Sequence, residues 1–108
     1  MKKTKEIRTV FVTVPTFEIA KQVSKILVSE RLAACCSVIQ NVISYFGWQN
    51  SLHERNEYLL IIKTSDTLLD ALQERILQIT SDEVPEIIAL PVFEIFDEYE
   101  KWLKSSLI

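Results

Sequence analysis

Few residues of this 108-residue chain could do chemistry on another molecule. His53 is the only histidine, so no pair of imidazoles can hold a metal ion. It stands beside Glu54 and Arg55 in a polar run that reads as solvated surface rather than as the setting of a general base. Cys35 and Cys36 are adjacent, and neighbouring side chains on a strand point to opposite faces. A disulfide between them would be strained, so both read as structural thiols. The absence of Cys-x-x-Cys excludes a metallochaperone that works through two loop thiols. Glu83, Glu86, Glu94, Asp97, Glu98 and Glu100 crowd the last quarter of the chain. They read as a solvated rim, because a divalent ion would need several of them to converge on one point. Tyr45, Phe46, Trp48, Tyr99 and Trp102 read as packing or subunit contact rather than as a ligand cage.

Gly47 is the only glycine, which removes every glycine-dependent phosphate cradle, the Walker loop and the dinucleotide fingerprint included. A formal net charge of −3 gives no electrostatic footprint for nucleic acid. No nucleophile and base can be paired, so an enzyme is not expected. No cofactor is expected either.

Any chemistry must be positioned by elements that the hydrophobic pattern marks out. Ile7 to Val14 alternates β-branched residues at period two, which predicts a strand ended by Pro15. Thr16 is placed to cap a helix from Phe17 to about Leu32, with one apolar stripe. Ala33 to Tyr45 and Leu52 to Thr64 read as two further strands, with the turn supplied by Gly47, Gln49, Asn50 and Ser51. Tyr58 to Ile62 is apolar on both faces, as in a central strand covered from two sides, which calls for a partner subunit or a helix layer. A second helix spans Thr67 to Ile79, a short strand Glu86 to Leu90 sits between two prolines, and a last helix starts near Asp97. The order β-α-β-β-α-β plus a C-terminal helix predicts an α+β, ferredoxin-like fold with an antiparallel sheet. The chain reads as a single domain over residues 1–108, with residues 1–6 as a flexible extension. The apolar runs are too short to cross a bilayer, and a cytoplasmic protein is expected.

Four segments, in order and spacing, carry a family resemblance. They are Leu27-Val28-Ser29-Glu30-Arg31-Leu32-Ala33-Ala34-Cys35, Tyr58-Leu59-Leu60-Ile61-Ile62-Lys63-Thr64, Glu83-Val84-Pro85-Glu86-Ile87-Ile88-Ala89-Leu90-Pro91 and Tyr99-Glu100-Lys101-Trp102-Leu103. Together they resemble the CutA family, the divalent-cation tolerance proteins. The resemblance implies a non-enzymatic homotrimer tied to the response to metal ions such as copper, or to signalling of the PII kind. It names no partner protein. An alternative implication is a module that takes a small ligand or a weakly held divalent cation in the clefts between subunits. The positions of the family's cysteine and histidine ligands hold Val12, Ile79 and Thr80, so no metal site carries over. What remains at matched positions is the polar set Glu57, Lys63 and Glu86, expected near an inter-subunit cleft. The family's Trp-Glu-Gly-Lys turn is Trp48-Gln49-Asn50-Ser51, which leaves Gly47 as the expected flexible point of the hairpin.

Overall fold

In the computed structural model, which describes every residue from Met1 to Ile108, alternation of apolar and polar residues sets the architecture. The elements are β1 (Lys2–Lys3), β2 (Ile7–Val14), α1 (Phe17–Ser29), β3 (Cys35–Trp48), β4 (Ser51–Ser65), α2 (Leu69–Ile79), β5 (Ile87–Pro91), β6 (Glu94–Ile95) and α3 (Asp97–Ser105). A 3-10 turn over Asp66–Leu68 leads into α2, where the sequence predicts helix from Thr67. Four strands form an antiparallel sheet in the order β3-β4-β2-β5, and β1 pairs with β6 in a separate ribbon.

The register places Val10 opposite Ile62 and Val12 opposite Leu60. Side chains alternate across a strand, so these four share one face with Val14. Ala20, Val23 and Leu27 of α1 and Leu72 and Ile76 of α2 pack on that face to make the main core. Thr64, fully buried, closes the end of this layer by donating to the Leu32 carbonyl at 2.7 Å. A smaller core joins Ile7, Ala34 and Ile95 to Leu103 and Leu107 at the C-terminus. The opposite face carries Phe11 against Ile61 and Ile88, and Ile39 against Leu59, none of which joins either buried core.

With one glycine available, other residues take the left-handed backbone positions. Thr16 caps α1 as expected, its hydroxyl accepting from the Ile19 amide at 3.2 Å. The helix stops at Ser29, three residues short of the predicted Leu32, because Arg31 adopts φ 62°. Arg31 N–H then reaches the Val28 carbonyl at 3.0 Å, and Leu32 N–H the Leu27 carbonyl at 2.9 Å. These are the paired bonds of a Schellman ending, usually given to glycine. Arg31 is held there by its side chain, whose Nη2 donates to the carbonyls of Ser105 and Leu107, each at 2.9 Å.

The β3–β4 hairpin corrects the expectation placed on Gly47. That residue lies in β3 opposite Leu52, without positive φ. The turn is made by Gln49 and Asn50, with φ 51° and 63°, between the paired residues Trp48 and Ser51. Two successive left-handed residues match the twist of the flanking strands. A bulge between Ile39 and Val42, with Asn41 at φ 62°, breaks the register of β3. The segment before β2 is tied to the rest of the fold by backbone pairing. Lys2 and Lys3 pair with Ile95 and Glu94, and the Thr4 amide donates to the Phe93 carbonyl at 2.8 Å. Lys2 further binds the buried Glu100 carboxylate at 2.8 Å, so charge on α3 fixes the start of the chain.

Arg31 separates two effects in a testable way. Arg31→Ala loses the ties to α3 and keeps the left-handed strain, and is expected to lower urea-unfolding stability by about 2 kcal/mol. Arg31→Gly removes the strain as well and should lose only about 1 kcal/mol. A gain in stability for Arg31→Gly would contradict the role given to the side chain.

Candidate functional site

Glu57 sits on β4 three residues from Leu60, hence on the face turned away from α1 and α2, and is 3% exposed. A carboxylate buried in a sheet needs a partner, and alternation supplies one two residues earlier. Arg55 Nη2 donates to Glu57 Oε2 at 2.7 Å. Asp82, in the loop after α2, accepts from both terminal nitrogens of the same guanidinium, at 3.1 Å and 3.0 Å. The Asp82 amide in turn donates to the Thr80 hydroxyl at 3.3 Å. The Arg55 guanidinium lies 5.6 Å from the centre of the Phe46 ring, which stacks on His53. Its Nε is buried without an acceptor.

Around this triad runs a groove of about 550 Å³, whose walls include Thr13, Ser44, Glu57, Asp82 and Glu86. A smaller hollow of about 330 Å³ continues it toward Trp48, His53 and Glu83. Burial pushes the Glu57 carboxyl up, but hydrogen bonds from Arg55, Ser44 and Thr13 and the arginine's charge outweigh it. The carboxyl is held below its usual range. The hydrogen bonds to Asp82 and Glu57 raise the Arg55 guanidinium further above its ordinary value. Both carboxylates are already engaged by the one guanidinium, which suits a tie between strand and loop better than a proton-transferring pair.

The expected polar set comes together only in part. Glu57 and Glu86 line one groove, whereas Lys63 lies six residues along β4, about 20 Å away at strand spacing, opposite Thr9 and Cys35. Val12, at the family's cysteine position, is fully buried in the main core, and Ile79 packs on the same core. Thr80 braces the loop through Asp82. No three side chains of histidine, cysteine, aspartate and glutamate gather closely enough to hold a metal ion. Copper prefers thiolate or imidazole donors, and this groove offers carboxylates bound to an arginine instead. The residues present do not fit it. Cys36 accepts from the Ser24 hydroxyl at 3.1 Å, and burial pushes its thiol up. Cys35 meets the Tyr99 hydroxyl at 3.6 Å. Burial, then Cys35, pushes that phenol up to about 12. His53 is exposed and contacts the Trp48 carbonyl at 3.3 Å.

Sequence reasoning missed Arg55 and Asp82. The spacing of Arg55 and Glu57, two apart on one strand face, is a signal that could have found the first. Nothing local marks Asp82, which reads as a helix breaker.

The family model for CutA1 divalent ion tolerance protein matches residues 8–106. The divalent-cation tolerance protein CutA of Thermus thermophilus is 40% identical over 97 residues, covering 90% of this chain and 94% of that protein. The chloroplastic protein CutA of Arabidopsis thaliana is 40% identical over 97 residues, covering 90% of this chain and 53% of that protein. The chain thus spans about half the length of this plant relative. Among solved structures, CutA1 from Oryza sativa superposes with a TM-score of 0.94 at 39% identity, covering 97% of this chain and 96% of that one.

Removing the arginine should expose what it neutralises. Arg55→Met leaves Glu57 buried beside no cation, and chemical denaturation is expected to show a loss of about 2 kcal/mol, less than for a fully buried pair because Arg55 is partly solvated. Adding Glu57→Gln to that variant should restore part of the loss; no recovery would contradict the pairing. Glu57 titrates lower folded than unfolded, so its contribution is complete above the unfolded value and is lost as pH falls through the folded one. The Glu57→Gln chain should therefore show a shallower loss of stability below about pH 4.5 than the wild type.

Proposed function

The chain belongs to the CutA1 divalent ion tolerance family, and on that premise we propose that it is a non-enzymatic homotrimer that acts in the response to divalent metal ions or in regulation linked to it. We read the four-stranded sheet as ferredoxin-like, with the trimer completing it. One observation carries the assembly. The sheet face opposite α1 and α2 presents Phe11, Ile39, Leu59, Ile61, Ile88 and Leu90, with Ile39, Ile88 and Leu90 from 40% to 50% exposed. Contiguous apolar surface of this kind marks an interaction site.

The two sheet edges, β3 and β5, are unpaired and unequal in length, 14 and 5 residues. Unlike edges suit a head-to-tail contact, which closes into a ring where a like-to-like contact would stop at a dimer. Such closure also hides edges that otherwise invite aggregation. Two free thiols favour a reducing, cytoplasmic setting. No helix is long and apolar enough to cross a membrane.

A second reading keeps the groove in view. Glu86 forms no ion pair and lines it beside Glu57, so a cleft between subunits there could take a small ligand or a weakly held divalent cation. Lys63 would reach such a cleft only from a neighbouring chain.

Ile61→Asp places a charge in the middle of the apolar face and is expected to lower the sedimentation coefficient to that of a single chain while α-helical circular dichroism persists. An unchanged sedimentation coefficient would overturn the assembly through this face. Calorimetric titration with Cu(II) is expected to reveal no stoichiometric submicromolar site, because Val12 and Thr80 offer neither thiolate nor imidazole. Such a site, if found, would contradict the donor argument.

A further inference from the structure

The family match begins at Arg8, and the segment before it folds against the connection from β5 to β6. Between them lies a cleft of about 510 Å³ lined by Lys3, Lys5, Arg8, Val92, Phe93 and Glu94 among others. Lys2 and Lys104 nearby are neutralised by Asp97, Glu100 and Glu6. Lys3, Lys5 and Arg8 form no ion pair. The β1–β6 ribbon and the Thr4–Phe93 hydrogen bond hold the lysine-bearing strand in place. Arg8 Nη1 donates to the carbonyls of Lys5 and Ile7 at 2.8 Å and 3.1 Å, which fixes the guanidinium and leaves Nε and Nη2 without a protein acceptor. Phe93, 68% exposed, stands at the same cleft.

We propose that this cleft binds a small anion carrying a phosphate group on an apolar body. Three cations against the single carboxylate of Glu94 leave an excess that matches a dianion, in a chain whose net charge is −3. A guanidinium with a free edge pairs with two phosphate oxygens at once, and the lysines add point charge. Phe93 covers the apolar part. The volume lies within the range of small-molecule sites. The cleft uses residues of one chain and two cations outside the family match, so the inference stands apart from the proposed assembly.

Isothermal titration of the full chain with phenyl phosphate at low ionic strength should give one site per chain. The double variant K3Q/K5Q and the single variant R8Q, each checked to melt as the wild type does, should weaken it about tenfold or more. F93A should weaken phenyl phosphate and leave inorganic phosphate unchanged. Vesicles of phosphatidylcholine with phosphatidic acid separate the sources. Co-sedimentation that the double variant abolishes, without binding of phenyl phosphate, supports the cleft with a lipid headgroup as the phosphate. Binding of neither probe, or binding that K3Q/K5Q and R8Q leave unchanged, overturns the proposal.

Discussion

Strand β4 has to satisfy two layers at once, and most of the structure depends on how it does so. Leu60, Ile62 and Thr64 point into the core beneath the helices, where all three are inaccessible to solvent. Leu59 and Ile61, alternating with them, point to the other side, whose Ile7 end packs against Leu103 of α3 and where Ile39, Ile88 and Leu90 stay exposed. A shift of one residue in register would exchange the two sets and bury Lys63 in the main core. The pairings of β4 with β2 and β3, and the core they fix, therefore define which surface is left for another molecule. Free energy gained by covering that surface belongs to association rather than to folding of the single chain.

A shortage of glycine shapes the remaining geometry. Four left-handed positions, Arg31, Asn41, Gln49 and Asn50, are filled by residues with side chains. Asn tolerates this backbone region well, and Arg31 is held in it by hydrogen bonds to the end of α3. The same arginine thereby links the end of α1 to the chain's C-terminal turn. Ion pairs perform a comparable service elsewhere. Arg55 ties β4 to the loop at Asp82, and Lys2 ties the first residues to Glu100. The two buried carboxylates of the molecule, Glu57 and Glu100, are each matched by a cation.

Much of this was legible in the residues, because period-two and helical patterns are local. Ile7 to Val14 coincides with β2, Ile79 ends α2, and Asp97 begins α3. The two-sided apolar run Tyr58 to Ile62 falls within β4, the strand paired on both sides. Where reading failed, the cause was nonlocal. Leu32 looked helical because its spacing is helical, yet Arg31 is drawn into a left-handed turn by carbonyls more than seventy residues away. Gly47 attracted the turn by its type, although the turn belongs to Gln49 and Asn50. Residues 1–6 carry no apolar pattern, and the pairing of Lys2 and Lys3 with β6 and of Lys2 with Glu100 is nonlocal. At the site, Glu57 and Glu86 were found at positions matched to the family, Glu57 just before the Tyr58–Thr64 segment and Glu86 within Glu83–Pro91. Arg55 and Asp82 are not among those positions, and only the fold brings them together.

The account as a whole rests on the uncovered face of the sheet being a contact between copies of this chain. The chain's buried carboxylates are engaged by cations, its main core is formed without the residues on that face, and its open edges differ in length. The most direct measurement is the molar mass of the unmodified protein by sedimentation equilibrium at micromolar concentration. The account predicts a mass three times that of the 12.5 kDa chain, independent of dilution through that range. A stable species of 12.5 kDa would contradict it.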